Sequence, residues 1–486
     1  MNEFGFNFNN TYKDLPNSFY QSAAATPVDF PNLVAFNDDL AKKLGLNHDA
    51  LNSTEGAHIF SGNQWPDGSA QIAQAYAGHQ FGSFTMLGDG RAVLIGEQMT
   101  PDGGRYDIQL KGAGQTAFSR MGDGRAPIGP MLREYIISEA LHALEIPTSR
   151  SLAVVTTGEA VTREEMLPGG ILTRVASSHL RVGTFEYAVR AEGENDHKVL
   201  ADYAIERHYP ELKELPEDEK YLQFLHAVVD KQASLISKWM LVGFIHGVMN
   251  SDNMAISGET IDYGPCAFMD EYHPATKFSS VDVGGRYQFQ NQPGIGQWNL
   301  ARFAETLLDL LHEDKETAKE LAQEALSRFG KLYESHFLSG MREKLGIIEA
   351  GEDDGEFAEE LLNLMVEHEA DYTETFRLLS LDRIEESELF RQEGFEAWYA
   401  KWQQKLERQN VSKEDAFELM KSVNPAVIPR NHLVEEALNE AMHHGDYSYF
   451  HNLNEVLKRP FEDNHDDIYK NPPKAEEVVH QTFCGT

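Results

Sequence analysis

Residues 246–253 read HGVMNSDN, and the reading of this octet decides what kind of fold the chain builds. It begins on His246 and closes on Asn253. Transfer loops of the same length and the same two ends carry their catalytic Asp at the third position. Here that position is Val248, and the carboxylate, Asp252, stands beside the closing Asn253. The octet keeps the frame of a phosphoryl-transfer loop and moves its acid.

The surroundings support that frame. Residues 221–245, YLQFLHAVVDKQASLISKWMLVGFI, place Leu225, Val228, Val229, Ile236, Met240 and Phe244 on one broad apolar face, the mark of a long buried helix that runs straight into the octet. After the octet, IDYGP sets Asp262 before an aromatic residue and Gly264, similar to the Asp-Phe-Gly metal motif of protein kinases. Mg²⁺ takes oxygen ligands in octahedral geometry, and the Asn253 amide oxygen with the Asp262 carboxylate meets that need beside phosphate oxygens. Taken singly, Asn253 and Asp262 read as turn or helix caps. In this order, behind this helix, they read as a metal site.

Upstream, the period changes from 3.6 to 2. RAVLIGE and RYDIQLK are strands of a small sheet, with Tyr106, Ile108 and Leu110 on one face and Asp107, Gln109 and Lys111 on the other. Between residues 131 and 144 the spacing is helical, so Glu134 lies on the helix that follows Lys111. A strand lysine held by a helix glutamate stays charged and aimed at phosphate. GDGR occurs at 88–91 and again at 122–125; Gly88, Gly90 and Arg91, then Asp123 and Gly124, form turns whose amides can gather around phosphate oxygens.

Composition limits the partners. The chain has 486 residues, enough for two packed units, and 42 basic against 78 acidic residues give a net charge of -36. Such a surface repels nucleic acid and anionic membrane, so a nucleotide needs a locally basic pocket. No run approaches the roughly 20 apolar residues that span a bilayer, and the first residues have neither signal nor transit character. Two cysteines, Cys266 and Cys484, build no disulfide framework, which points to a reducing, cytoplasmic setting. The acid-rich stretch 347–371 reads as a solvated helix surface and connecting loop. His79 and His246 read as packing or hydrogen-bonding residues, since neither a His-Glu-x-x-His helix nor a Gly-x-Ser-x-Gly elbow occurs. Residues 298–312 and 355–368 are further amphipathic helices.

From the residues alone three readings stay open: nucleotidyl transfer, γ-phosphoryl transfer with Asp252 as a displaced base, and a nucleotide-binding scaffold without turnover. A complete set of Lys111, Glu134, Asn253 and Asp262 argues against the scaffold. The first two are separated by a resemblance. AYAGHQFG, LGDGRA, LKGAGQTAFSR, GDGRAPIGPMLREYI, GFIHGVMNSDNM, IDYGPCAFMD, NQPGIGQWNLARFAETLL and the terminal FCGT resemble the selenoprotein O family of protein adenylyltransferases along nearly the whole chain.

The resemblance implies an α+β, protein-kinase-like fold of two lobes: a small β-rich N-lobe and a larger, mainly helical C-lobe, with terminal extensions. The expected boundaries are 1–80 for an N-terminal extension packing on the core, 81–195 for the N-lobe, and 196–486 for the C-lobe with its tail. It implies ATP bound in an orientation inverted relative to kinases and AMP transferred to Ser, Thr or Tyr hydroxyls of proteins. Asp252 would be the base and Asn253 and Asp262 the ligands of Mg²⁺ or Mn²⁺. Gly88, Gly90, Arg91, Lys111, Asp123, Gly124, Arg174, Arg181 and Asp262 would contact ATP. Arg174 and Arg181, separated by about two helical turns or one long loop, would neutralise the inner end of the triphosphate. The enzyme would act as a monomer. Cys484 lies in the tail where some members carry selenocysteine; residue 481 is Gln, so a local tail disulfide is excluded, and a redox pairing of Cys484 with Cys266 is the remaining expectation.

Overall fold

The computed structural model describes residues 3–191, 193 and 195–483. In chain order its first strands are β1 (Tyr20–Ser22), β2 (Asn32–Phe36), β3 (Ile72–Gln74), β4 (Ala77–Gln80), β5 (Ser83–Met86), β6 (Ala92–Met99), β7 (Arg105–Lys111), β8 (Arg150–Thr162) and β9 (Met166–Ala176). Among the described residues, seven of these form one antiparallel sheet in the order β1-β3-β6-β7-β9-β8-β2, and β4 and β5 form a separate hairpin. Residues before 80 thus supply both edge strands of the sheet.

The two-residue alternation of β7 explains how the sheet sits. Ile108 and Leu110 join Val93, Ile95, Ile171 and Val175 in a core closed by the helices Asp38–Lys43 and Thr54–Phe60. Each fully buried side chain of this size contributes about 1.5–3 kcal/mol. Asp107, Gln109 and Lys111 point to the opposite face, and they too are buried. Helices cover that face as well, so its polar groups are satisfied by one another. Arg207, from the helix Asp196–His208, reaches Asp107 at 2.6 Å and Glu97 at 2.9 Å.

Beyond the sheet the chain is mainly helical. Glu217–Leu241 packs against Gln292–Leu311 and Lys315–Lys344, and its expected apolar positions from Leu225 to Met240 are buried. It does not run into the octet, however. It stops at Leu241, because Gly243 takes a left-handed φ of 71°, a conformation that ends helices. The chain then forms β10 (Phe244–Ile245), paired with β11 (Ala267–Phe268). The octet and the Asp262 segment are therefore the two sides of one β-ribbon loop. Three other helices begin earlier than their sequence spacing implies, at Ile128, Gln292 and Asp354; Pro293 fits the first turn of the second. No helix among the described residues is long and apolar enough to cross a membrane.

Candidate active site

A cavity of about 450 Å³ opens between the sheet, the helix Ile128–Ala143 and the β-ribbon loop. Asp89, Gly90, Arg91, Lys111, Glu134, Arg174, Val248, Asn250, Asp252, Asn253 and Asp262 line it. Most of the residues singled out from the sequence thus meet in one place.

Lys111 is the last residue of β7 and Glu134 lies on the second turn of Ile128–Ala143. Lys111 Nζ is 2.6 Å from Glu134 Oε2 and 3.1 Å from Asp262 Oδ1. Gln109 lies opposite Arg174 in the β7–β9 register, so both project from the same face. Arg174 Nη2 donates to Gln109 Oε1 at 2.7 Å, while Nη1 reaches Asp262 Oδ1 at 2.5 Å and Glu134 Oε1 at 3.3 Å. Arg181 lies just before the helix Val182–Ala188. A strand end and a loop, not two helical turns, separate it from Arg174. Its Nη1 donates to Asp262 Oδ2 and to the main-chain oxygen of Asp252, each at 2.8 Å, and its guanidinium lies 4.5 Å from the Tyr76 ring centroid. Arg181 sits behind Asp262 and does not line the cavity.

Asp262 is thus the shared counter-ion of three cations. Burial pushes its carboxyl up, but Arg174, Lys111 and Arg181 outweigh burial and hold it well below the usual carboxylate range. Its φ of 65° is left-handed, a strained state for a non-glycine residue that surrounding contacts must hold.

Asp252 has the opposite character. Burial raises its carboxyl to about 6, only partly offset by Arg181. Oδ2 accepts from Gln80 Nε2 at 3.3 Å, and Oδ1 is buried without a hydrogen-bond partner. Gly78 of β4 passes so close that a Cβ there would lie 2.2 Å from Oδ1. Asn253 Nδ2 donates to Val248 O at 2.9 Å, which fixes the amide and leaves its oxygen for another partner. The expected His246 packing role holds: the ring is fully buried and Nε2 contacts Ile261 O at 2.9 Å.

These donors suit a hard divalent cation. No group of three His, Cys, Asp or Glu side chains among the described residues forms a metal cluster, so a cation would take oxygens from Asn253, Asp262 and a bound phosphate. The unpartnered Asp252 Oδ1 beside them shows that the pocket holds anionic oxygen capacity in reserve.

The two GDGR turns differ from the expected phosphate nests. In the first, Asp89 N donates to Gln74 O at 2.9 Å and Gly90 N to Gly88 O at 2.7 Å. Those amides are committed, and the turn is locked instead by residues 114–119: Thr116 Oγ1 donates to Asp89 O at 2.6 Å and Ser119 Oγ to Gly90 O. Gly88, at φ 133°, has no room for a Cβ against Phe118. The second turn lies outside the cavity lining. There Gly122 N and Arg125 N donate to Ser119 O and Asp123 Oδ1, and Asp123 pairs with Arg163 at 2.8 Å. Gly124 packs against the Gly114 backbone.

Three groups escaped the sequence reading. Asp89 lines the cavity, is raised to about 6 by burial, and accepts from Gln109 Nε2 at 2.9 Å; its place inside GDGR was a usable signal. Asn250 Oδ1 accepts from Tyr287 OH at 2.6 Å and Phe81 N at 3.1 Å. Glu186 accepts from Ser251 Oγ and pairs with His79, whose N–H donates to Ser251 Oγ at 2.7 Å. Nothing in the sequence near Glu186 marks it.

Cys266 is fully buried. Cys484 lies outside the described residues. The described end of the tail reaches the same segment: Thr482 Oγ1 donates to Pro265 O at 2.6 Å, and Thr482 N to Phe278 O at 2.8 Å.

A buried cationic cradle facing a carboxylate of raised pKa is the arrangement of a phosphate-handling transferase. Comparison with known proteins agrees. Residues 3–458 match the family model described as Protein adenylyltransferase SelO. A relative from Bacillus cytotoxicus, named Protein nucleotidyltransferase YdiU, is 56% identical over 485 residues, covering 100% of this chain and 98% of its own. Relatives of the same name from Shouchella clausii and Geobacillus kaustophilus are 57% and 56% identical, covering 99% of both chains in each case. The chain belongs to the SelO family of protein adenylyltransferases.

Proposed function

We propose that this enzyme, a nucleotidyltransferase, moves AMP from ATP to Ser, Thr or Tyr hydroxyls of proteins. The observation that carries this reading is the pairing of Lys111, Arg174 and Arg181 on Asp262 at the buried end of a cavity that also holds Asp252. Three cations gathered on one carboxylate form a cradle for a far more highly charged triphosphate. With the β- and γ-phosphates in that cradle, the α-phosphate lies toward Asp252, so ATP is inverted relative to a kinase. Gly90 and Arg91 border the nucleotide from the first GDGR turn, which Gly88 shapes, while Asp123 and Gly124 of the second turn lie outside the cavity and leave the nucleotide to the first.

Asp252 accepts the proton of the attacking hydroxyl. The hydroxyl oxygen bonds to the α-phosphorus, the bond from that phosphorus to the α–β bridging oxygen breaks, and pyrophosphate leaves with the electron pair. Lys111 and Arg174 stabilise the leaving group from the cavity wall, and Arg181 behind them holds Asp262 while its bond to the Asp252 main chain fixes the base. Glu134 keeps Lys111 oriented. Asn253 and Asp262 would hold Mg²⁺ or Mn²⁺, which supplies charge neutralisation at the phosphates.

The fold reading that accompanies this is kinase-like and two-lobed: residues 81–195 as the N-lobe with the extension 1–80 joined to its sheet, and 196–486 as the C-lobe and tail. The protein acts as a cytoplasmic monomer, and Cys266 pairs with Cys484 under oxidation. ATP labelled at either the α- or the γ-phosphate, incubated with the protein and a lysate, tests the activity. Label from the α position alone, absent in Asp252→Ala, is expected; label from the γ position alone would make the enzyme a kinase.

A further inference from the structure

The β4–β5 hairpin lies directly on the octet. His79 N bonds Ser251 Oγ at 2.7 Å, Gln80 Nε2 bonds Asp252 Oδ2 at 3.3 Å, and Phe81 N bonds Asn250 Oδ1 at 3.1 Å. Phe81 at its tip is 41% exposed, and Met86 at its base, opposite Ala77, is 50% exposed. Gln80 and Phe81 of this hairpin line the cavity together with Asp252.

Three arginines surround it. The Arg190 guanidinium lies 4.0 Å from the Phe84 ring centroid, Arg286 lies 4.9 Å from that of Trp298 and against Gly82, and Arg120 Nη2 donates to Met86 O at 3.1 Å. Arg286 Nε and Nη2 are buried with no hydrogen-bond partner. Among the described residues none of the three forms an ion pair with a carboxylate. That is the informative point in a chain with 78 acidic and 42 basic residues, where a neighbouring carboxylate is the default. Arg302, 5.0 Å from the Trp298 ring centroid, shows the contrast, since Glu305 pairs with it at 2.6 Å.

We infer that this hairpin and Arg120, Arg190 and Arg286 form the docking surface for an acidic segment of the acceptor polypeptide, holding its hydroxyl next to Asp252. The inference rests on the reading that the acceptor is a protein, and it names the chemistry by which that protein is recognised. Arg190 and Arg286 are held in orientation by aromatic rings, and Arg190 Nη1 and Arg120 Nη2 are anchored on the main-chain oxygens of Glu186 and Met86, which leaves the remaining donors of the three guanidinium groups for carboxylates. The triphosphate has its own cations in Lys111, Arg174 and Arg181. A nucleic acid would bring its charge against the remaining acidic surface.

The test uses two fluorescein-labelled peptides of equal length with one Ser, one rich in Asp and Glu and the other in Gly and Ser. Anisotropy titrations are run with wild type, with Arg120→Glu/Arg190→Glu, both exposed positions, and with Arg286→Gln. The acidic peptide is expected to bind wild type about tenfold more tightly, less so at high salt. The double variant should lose that preference and Arg286→Gln most of it, with ATP affinity unchanged. Equal binding of the two peptides by wild type, or a preference intact in both variants, would overturn the inference. Transfer from α-labelled ATP is read separately: preferential binding without label would leave the docking surface standing and remove the adenylyl-transfer reading.

Discussion

Arg181 holds Asp252 and Asp262 with a single nitrogen: Nη1 is 2.8 Å from the main-chain oxygen of the first and 2.8 Å from Oδ2 of the second. The residue proposed as the base and the carboxylate proposed as the metal ligand are therefore both tied to one fully buried cation.

The first prediction concerns the charge that Asp262 balances. Removing it leaves Lys111, Arg174 and Arg181 without their shared counter-ion, and breaking a buried pair in this way costs about 3–5 kcal/mol. Asp262→Ala should melt well below wild type without ligand. It should bind ATP more tightly than wild type when metal is chelated, because the phosphate no longer competes with a carboxylate. Mg-ATP, by contrast, should bind it more weakly than it binds wild type. Calorimetric titrations with and without Mg²⁺ check this, and undiminished Mg-ATP affinity would contradict the assigned role of Asp262.

The second prediction follows from the Asp252 carboxyl, which burial raises to about 6. A general base works only when ionised, so transfer should rise with pH through about 6 and level off above it. Asp252→Asn should lower kcat by about 10²–10⁴ and abolish that acid limb while leaving ATP affinity within about twofold. A pH–rate profile of both proteins, with ATP affinity measured alongside, decides the matter.

Asp89 gives a third, through stability. Its carboxyl is also raised to about 6 by burial, against an ordinary value near 4. A carboxyl whose folded-state value is raised stabilises the fold below the ordinary value and loses that contribution as pH rises through about 6. Above it, the native state carries a buried charge that the unfolded chain solvates freely. Asp89→Asn should therefore be more stable than wild type at pH 7.5, by about 1–2 kcal/mol, with no gain at pH 4. Denaturant unfolding at the two pH values measures it.

Much of this site was readable in the sequence because its parts follow local rules. The alternation in RYDIQLK puts Lys111 on the polar face of β7, and helical spacing puts Glu134 on the next helix. The structure joins them at 2.6 Å. What escaped depends on contacts between distant segments. Glu186 organises Ser251 and His79 only because the helix Val182–Ala188 packs beside β4. The Asp89 amide is taken by β3 and the carbonyls of Asp89 and Gly90 by the 114–119 loop, closures that no pattern inside GDGR foretells. The end of the helix at Leu241 was marked by Gly243, but the unbroken apolar run across it concealed the switch to strand.

The last prediction returns to Val248, which stands where a kinase loop carries its Asp. The side chain is 8% exposed and lines the cavity, so Val248→Asp would add a carboxylate to a wall already bearing Asp252 and Asp262. If the nucleotide is inverted, the γ-phosphate lies in the cradle with Arg174 and the α-phosphate faces the octet, and restoring the Asp creates no kinase. The added charge instead repels the α-phosphate and competes with Asp252 for the proton. Transfer of α-label should fall by about tenfold or more, with ATP binding weakened and no γ-label gained. Appearance of γ-label on protein with Val248→Asp would mean that the nucleotide sits in the kinase orientation and that the cradle holds its other end.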